Sequence, residues 1–493
     1  MISQKEVLQY LEETGSTWMR CEDTERNPEL EYRNYCGKLF TTHPWYKEME
    51  QKCSLLLTKK KYQGNCYPNT DEFFKTIDNL INKFEQTNGI TLSDEQKEGV
   101  RMMCTNWIGI LTGGPGTGKT SVLKCATYVL ANLYRGSSFA FTAPTGKAAR
   151  RITESTGFKA STIQMKIHDV GDENVDLKMI YDNYLFIDES SMLDLETFTR
   201  VMLCLSKYTH IFLIGDVDQL PSVNEGAIFR DLIDSGNFAY VKLEKTFRQD
   251  NDSKLFENIQ IVKKGCHVPL EEGTDFKRFR TEKDAFKLCV NEYIKNIEKY
   301  GIEQTVILSP YRRVGEVCSK KLNSYIQKVV NKSGEGVKAR IHRDGQVEYI
   351  EFRVGDPVIH LKNRKEIANG DVGTVIEVDS NKVVVKYNDC IVNYYTTNAD
   401  LDDLDLAYAL SVNKAQGSEY KCVIFPALQE FESLDQSMIF TAISRSTKLC
   451  EVIGLDKTLQ SACKRKVVNQ RRTFLREEID TSEQQMILLA SVL

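Results

Sequence analysis

Residues 113–120 read GGPGTGKT and match the spacing G-x-x-x-x-G-K-[ST]. An apolar run, WIGIL (107–111), precedes the string, and a helical stretch, TSVLKCATYVL (120–130), follows it. Glycines at such a bend let backbone N–H groups close around phosphate oxygens, and the start of a helix adds positive potential there. The expected nucleotide-binding set is Gly113, Gly114, Pro115, Gly116, Thr117, Gly118, Lys119, Thr120 and Ser121. Within it, Lys119 is expected to reach the β- and γ-phosphates and Thr120 to ligate Mg²⁺, which makes ATP with Mg²⁺ the expected cofactor pair.

A second string, LFIDES (185–190), ends an apolar strand in two carboxylates. Such a pair is often only solvated. Here it follows the phosphate loop at the next strand but one, where Asp188 could hold the metal and Glu189 could orient and deprotonate water. A third, LIGDVDQLPSV (213–223), is again a strand running into polar residues. Gln219 could sense the γ-phosphate, while Asp216 and Asp218 are equally well read as turn formers. Arg248 in LEKTFRQ and Arg445 in FTAISRS are candidate cations for the charge that develops in phosphoryl transfer, although a lone arginine is usually a surface charge.

Short apolar strands alternate with helical stretches from about 107 to 250, and again from about 305 to 454. That alternation predicts parallel sheets covered by helices. Between TVILSPY (305–311) and KCVIFPA (421–427) the texture changes to short strands joined by Gly and Asn turns, as in FRVGDPVIHLKN and GDVGTVIEVD, which predicts a small antiparallel barrel. Residues 1–90 are rich in Glu, Lys, Tyr and Asn and are read as helical; DEFFKTIDNLINKFEQ (71–86) has amphipathic spacing, and Ser93 is placed to cap the helix after it.

Length, 493 residues, and composition, 41% hydrophobic and 27% charged, suit several globular cores. No apolar run reaches the roughly 20 residues that a bilayer span needs. The net charge of −4 shows no overall basic excess, so any nucleic-acid contact must rest on a local groove. The fourteen cysteines form no C-x-x-C pair. Cys21, Cys36, Cys53 and Cys66 cluster loosely, but their spacing favours free thiols in a reducing compartment over a metal site.

GGPGTGKTS, FTAPTGKAARRI, FIDESSMLD, GDVDQLPSV, LEKTFRQ, ILSPYRRVG, LAYALSVNKAQGSEY and FTAISRS occur in that order. Over about 92–455 the chain resembles the superfamily 1 DNA helicases, in the RecD-like branch that includes the phage Dda type and moves 5′→3′. The resemblance implies an α/β fold with two RecA-like parallel-sheet motor domains, an SH3-like barrel insertion in the second and a helical N-terminal region. The expected boundaries are 1–90, 91–250 with a small wedge near 164–184 (around HDVGDENVD), 251–344 with 406–460, 345–405 for the barrel, and a helical tail at 461–493. It further implies that Gln96 reads adenine, that Phe247 stacks on it, and that Arg248 and Arg445 are fingers. Contacts to the DNA backbone would come from Thr142, Pro144, Thr145, Lys147, Thr162, Ser411, Lys414, Gln416 and Ser418. The chain departs from the family in two strings, with Gln164 in STIQ and with Asn413 and Ala415 in VNKAQGSE, which puts individual contacts in doubt.

The implied activity is ATP-dependent 5′→3′ translocation on single-stranded DNA with unwinding of duplex, in replication, recombination or repair. The implied partners are single-stranded DNA and its junctions with duplex, with room for single-stranded-DNA-binding or replication and recombination proteins. A monomer in the cytoplasm of a bacterial or phage-infected cell is expected, without a membrane. Two alternatives differ in class: a nucleic-acid-stimulated ATPase switch or translocase without strand separation, and the motor subunit of a helicase–nuclease complex. The presence of KAQGSE and Arg445 weighs against a bare switch. The basic tail CKRKVVNQRRTFLRE (463–477, running to Glu477) is better read as the face of a closing helix than as a DNA contact.

Overall fold

The structure is a computed structural model of the chain; it describes residues 2–21, 26–63, 70–168, 177–247, 253–343, 346–362, 364, 367–388, 390–396, 400–429, 431, 434–465 and 471–492. The chain forms two compact units. Unit 1 comprises residues 1–144, 148–249 and 468–493, and unit 2 comprises 145–147 and 250–467.

Unit 1 is built on six strands in the order Ala160–Thr162, Phe139–Ala143, Tyr184–Ile187, His210–Gly215, Ile108–Gly113, Ala239–Leu243. Every pairing is parallel. Tyr184–Ile187, His210–Gly215 and Ile108–Gly113 are buried at every position, as strands covered on both faces must be. On one face Phe141, Phe186 and Phe212 stand in register across three strands. Their rings are 5.2 and 5.3 Å apart, and Phe158 stacks on Phe141 at 4.7 Å. Helix Lys119–Leu133 covers this side with Val122, Val129 and Leu130; Phe198, Val201 and Leu232 fill the opposite one.

The N-terminal segment departs from its expected all-helical character. Helices Gln4–Thr14, Pro44–Lys61 and Asp71–Asn88 are present, but Met19–Cys21, Glu31–Tyr35 and Lys38–Thr42 form a three-stranded antiparallel sheet. The reason lies in the two residues between the last two strands. Cys36 and Gly37 both have positive φ (48° and 73°), the geometry of a tight hairpin whose twist matches its strands. Cys36 therefore serves as a turn residue, and Cys53 is buried in a helix; Cys66 lies outside the described residues. Among the described residues no group of three or more His, Cys, Asp or Glu side chains could hold a metal ion. No described helix is long and apolar enough to cross a membrane.

The C-terminal helix Leu475–Val492 packs in unit 1, against Pro44–Lys61 and Ile228–Ser235. Just before it, Phe474 is fully buried among Trp18, Tyr35 and Phe40, with ring centroids 5.2, 5.2 and 5.3 Å away. Arg33 lies 4.6 Å over the same ring. Beneath this cluster the buried Glu50 carboxylate accepts from Thr17 Oγ1 (2.5 Å), Trp18 Nε1 (2.9 Å) and Phe474 N (3.1 Å). Burial pushes its pKa up to about 7 against these donors. The basic tail thus has a structural use that its sequence did not disclose: Arg471 donates to Ser222 O (2.6 Å), Gly226 O (2.8 Å), Ser222 Oγ (3.0 Å) and Asn224 O (3.1 Å). Residues 466–470 lie outside the described set.

Phe474→Ala should destabilise unit 1 by about 3–5 kcal/mol, the usual cost of emptying a buried aromatic site. All three tryptophans (Trp18, Trp45 and Trp107) lie in unit 1, so the urea midpoint of tryptophan fluorescence reads this unit. An unchanged midpoint would show that the cluster does not hold the chain end in place.

Unit 2 carries a five-stranded parallel sheet in the order Phe276–Phe279, Ser446–Ile453, Tyr420–Pro426, Thr305–Ser309, Ala409–Ser411. A second sheet interrupts it between Val330 and Ala409. There Pro357–His360, Val372–Val378, Lys382–Lys386, Ile391–Tyr395 and Leu404–Leu406 pair antiparallel. A separate hairpin, Gly336–Arg343 with Gln346–Arg353, precedes that sheet, so antiparallel structure begins before the expected boundary at residue 345. Both units thus carry the parallel-sheet α/β architecture that the alternation of strands and helices predicts.

Candidate nucleotide and DNA sites

The phosphate loop leaves the end of Ile108–Gly113 and turns into helix Lys119–Leu133. Gly118 makes the turn with φ 81° and supplies no capping side chain, which leaves the first N–H groups of the helix to face a ligand. A side chain could not stand there, because a Cβ would come within 2.2 Å of Gln96 Nε2. Thr117 fixes the loop from inside by donating from Oγ1 to Gly114 O (2.9 Å). Lys119 Nζ lies back against the loop, 2.5 Å from Gly113 O and 3.2 Å from Gly114 O. Thr120, the expected metal ligand, is exposed.

Gln96 is only 3% exposed, and its amide is already engaged. Oε1 accepts from Ser93 N (2.9 Å), Nε2 donates to Thr117 O (3.0 Å), and Ser93 Oγ accepts from Gln96 N (3.3 Å). In this arrangement Gln96 closes its own helix cap and braces the phosphate loop. Phe247 donates from its N to Gly116 O (2.9 Å) and leaves its ring 41% exposed beside Gly118. Such a ring, next to the loop and open on one side, is suited to stack on a base. Glu95 was not visible as a functional residue, yet its carboxylate accepts from Glu244 N (2.8 Å) and Lys245 N (3.2 Å) and so places the segment that carries Phe247. Its only signal in the sequence is that it neighbours Gln96 in the first turn of one helix.

The carboxylate pair stands at the end of Tyr184–Ile187, two strands from the phosphate loop in the same sheet. Asp188 N donates to Thr142 O (2.9 Å), and Asp188 Oδ1 accepts from Glu189 N (2.9 Å). Burial and the Glu189 charge push Asp188 up to about 6; Lys119 and Arg151 pull it down. Arg151 is a second residue that the motif reading passed over, since only the fold brings its charge to bear on Asp188. Glu189 has φ 52°, the left-handed region that a non-glycine residue rarely occupies. Strain held at such a position often marks function.

Strand His210–Gly215 lies next to the phosphate-loop strand, with Gly215 opposite Thr112. After it, Asp216 accepts from Asp218 N (3.1 Å), so the turn-forming reading of Asp216 holds. Its other oxygen accepts from Gln219 Nε2 (3.4 Å). These groups fit a nucleoside triphosphate and a divalent cation: an uncapped helix start, a lysine, an exposed threonine hydroxyl and two adjacent carboxylates, after the carboxyl ends of strands in one parallel sheet.

Arg248 lies outside the described residues, as do residues 169–176, the greater part of the HDVGDENVD string within the wedge expected near 164–184. Arg445 belongs to unit 2, where Nε donates to Thr441 O (3.2 Å) and an amino group reaches Ser418 O (3.5 Å).

Four of the residues expected to contact DNA are buried. Thr142, Thr162, Gln416 and Ser418 are 1%, 2%, 4% and 1% exposed, so their side chains do not face a polymer in this structure. Thr142 sits inside the sheet and donates to Phe186 O (3.2 Å); Thr162 caps a short helix by accepting from Met165 N (3.2 Å). Pro144, Thr145, Lys147, Ser411 and Lys414 are half-buried and keep some surface. Lys414 donates to Asn369 Oδ1 (3.2 Å), and burial together with the charges of Arg343 and Arg312 lowers its pKa.

The AAA domain family matches residues 91–275, and the UvrD-like helicase C-terminal domain family matches residues 406–453. The chain is 29% identical over 394 residues to the ATP-dependent RecD2 DNA helicase of Deinococcus radiodurans, covering 79% of this chain and 52% of that protein. It is 24% identical over 438 residues to the RecBCD enzyme subunit RecD of Mycolicibacterium smegmatis, covering 78% and 75%. The chain thus spans about half the length of the Deinococcus relative. A Pif1 helicase from Bacteroides in complex with ADP-AlF3 and single-stranded DNA superposes with a TM-score of 0.47 at 16% identity, over 75% of this chain and 94% of that one. In sequence the chain is thus similar to an AAA domain followed by a UvrD-like helicase C-terminal domain. The similarity to RecD2 and RecD proteins extends over more than three quarters of this chain.

Proposed function

We propose that the protein is an ATP-driven DNA helicase that moves 5′→3′ along single-stranded DNA and opens duplex ahead of it. One observation carries the ATPase half: the uncapped start of helix Lys119–Leu133 and the Asp188–Glu189 pair both follow the carboxyl ends of strands in one parallel sheet. Loop N–H groups and Lys119 hold the β- and γ-phosphates, and Glu189 takes the proton of the attacking water. Magnesium bound by Thr120 and Asp188 would supply charge neutralisation between the phosphates. Gln219 reads the γ-phosphate, Phe247 stacks on the base beside the loop that Gln96 braces, and Arg248 and Arg445 neutralise the developing charge. The antiparallel sheet of unit 2, Pro357–Leu406, is read as an SH3-like element beside the DNA. Pro144, Thr145, Lys147, Ser411 and Lys414 are the surface positions left to meet the phosphate backbone, which makes binding tolerant of sequence and sensitive to salt.

The direction rests on the RecD-like branch and is tested with two duplexes identical except for a 5′ or a 3′ single-stranded tail. Opening of the 5′-tailed duplex with ATP and Mg²⁺ is the expected result. Preference for the 3′ tail would overturn the polarity and leave the helicase reading standing. DNA-stimulated hydrolysis without opening of either would favour a translocase or switch.

A further inference from the structure

Unit 2 holds an open groove of about 700 Å³ between helix Ser319–Val330, the loop before it and the start of helix Ala285–Tyr300. Arg313, Lys320, Lys321 and Lys328 line it, against the single carboxylate of Glu316. In a chain of net charge −4, four cations around one groove is a strong local excess. Two rings, Phe286 and Tyr325, form its apolar wall; they meet edge to face at 5.3 Å, and Tyr325 is 49% exposed.

The cations are partly fixed in advance. Glu348 of the neighbouring hairpin is 6% exposed and pairs with Arg313 (2.7 Å) and Lys320 (3.1 Å), while Lys321 donates to Gly315 O (3.0 Å). Lys321, Tyr325 and Lys328 lie on one face of their helix, and the two lysines stand about 10 Å apart along its axis with the ring between them. An aromatic face flanked by cations along a groove is the arrangement that binds single strands without reading sequence: phosphates meet the cations and a base stacks on the ring.

We propose that this groove is an auxiliary site for single-stranded DNA, formed, apart from Arg313 of the ILSPYRRVG string, by residues outside the motifs of the motor. The proposal rests on the helicase reading. A protein partner with acidic residues is the competing occupant; the exposed ring at the centre of the cation row, which a base can cover face on, favours the nucleic acid.

The probe is a bromodeoxyuridine-substituted oligonucleotide photocrosslinked to the full chain, with the crosslinked peptides mapped by mass spectrometry. A crosslink to the peptide bearing Tyr325 is expected. In equilibrium binding, Tyr325→Ala should weaken the oligonucleotide on the order of 10-fold. The double variant Lys321→Gln/Lys328→Gln should reduce the slope of log K against log salt by about 1.4. All three positions are exposed, so these variants test the groove without unfolding it. If the oligonucleotide binds and crosslinks elsewhere, with affinity and salt slope unchanged in both variants, the groove proposal is overturned and the helicase reading survives. If no oligonucleotide binds the wild-type chain, both fall together. Binding of an Asp-rich peptide with a C-terminal Phe that is lost in the variants, while oligonucleotide binding is kept, overturns the proposal in favour of a protein partner.

Discussion

Lys119→Ala is expected to lower ATP turnover by a factor on the order of 10³ or more, the scale of removing a cation from a transferring phosphoryl group. The effect should be confined to function. Lys119 Nζ donates to the carbonyl oxygens of Gly113 and Gly114, and the residue is not a member of the hydrophobic cluster that its helix packs into. The loop itself is held by Thr117 Oγ1 on Gly114 O and by Gln96 on Thr117 O, both untouched by the change. Thermal melting should therefore match the wild type while steady-state hydrolysis collapses. Wild-type turnover in the variant would remove the phosphate-loop assignment. A large fall in melting temperature would instead show that Lys119 braces the fold.

Glu189→Gln should slow hydrolysis by about 10²–10⁴-fold, the range of a lost general base, while ATP still binds. The amide keeps the size of the side chain and changes only its ability to take a proton. Its backbone strain is not at issue, because the residue at φ 52° remains a non-glycine of the same shape. The metal position should not suffer, since Glu189's charge is one of the two influences that hold Asp188 up, and its removal favours the ionised Asp188. The check is a pair of measurements: nucleotide affinity by titration and turnover in a single cycle. Wild-type single-cycle turnover would mean that another group activates the water. Loss of nucleotide binding would mean that Glu189 holds the ground state.

The features legible in the sequence were those written in local order. The phosphate loop between a strand and a helix, the carboxylates at a strand end and the Ser93 cap are all strings whose spacing carries their geometry, and the structure places them accordingly. Alternating strands and helices gave the parallel sheets for the same reason. What stayed hidden depends on packing between distant segments. The sheet Met19–Thr42 was missed because its hairpin turns on two positive φ values at Cys36 and Gly37, and Cys is a weak signal for such a turn. Thr142 and Thr162 lie in strings that suggest DNA contact, yet the first faces the sheet interior and the second caps a helix. A motif names a neighbourhood; which way each side chain points is decided by what packs behind it. Glu95 and Arg151 act through residues far away in sequence, so no spacing could have marked them.

The return of residues 468–493 to unit 1 has a consequence for how the protein is made. A ribosome emits residues up to 249, then residues 250–467 of unit 2, and only then the segment that fills the space among Trp18, Tyr35 and Phe40. At usual elongation speeds the intervening stretch of roughly 220 residues takes on the order of 10–40 s. Throughout that interval the nascent unit 1 presents an open aromatic socket with the Glu50 carboxyl at its floor. Unit 2 can finish folding first although it is begun second. Phe474 can be inserted only after residues 250–467 have been made, so a chain stalled between the two would carry a completed second unit and an unsealed first one, exposed to chaperones and proteases.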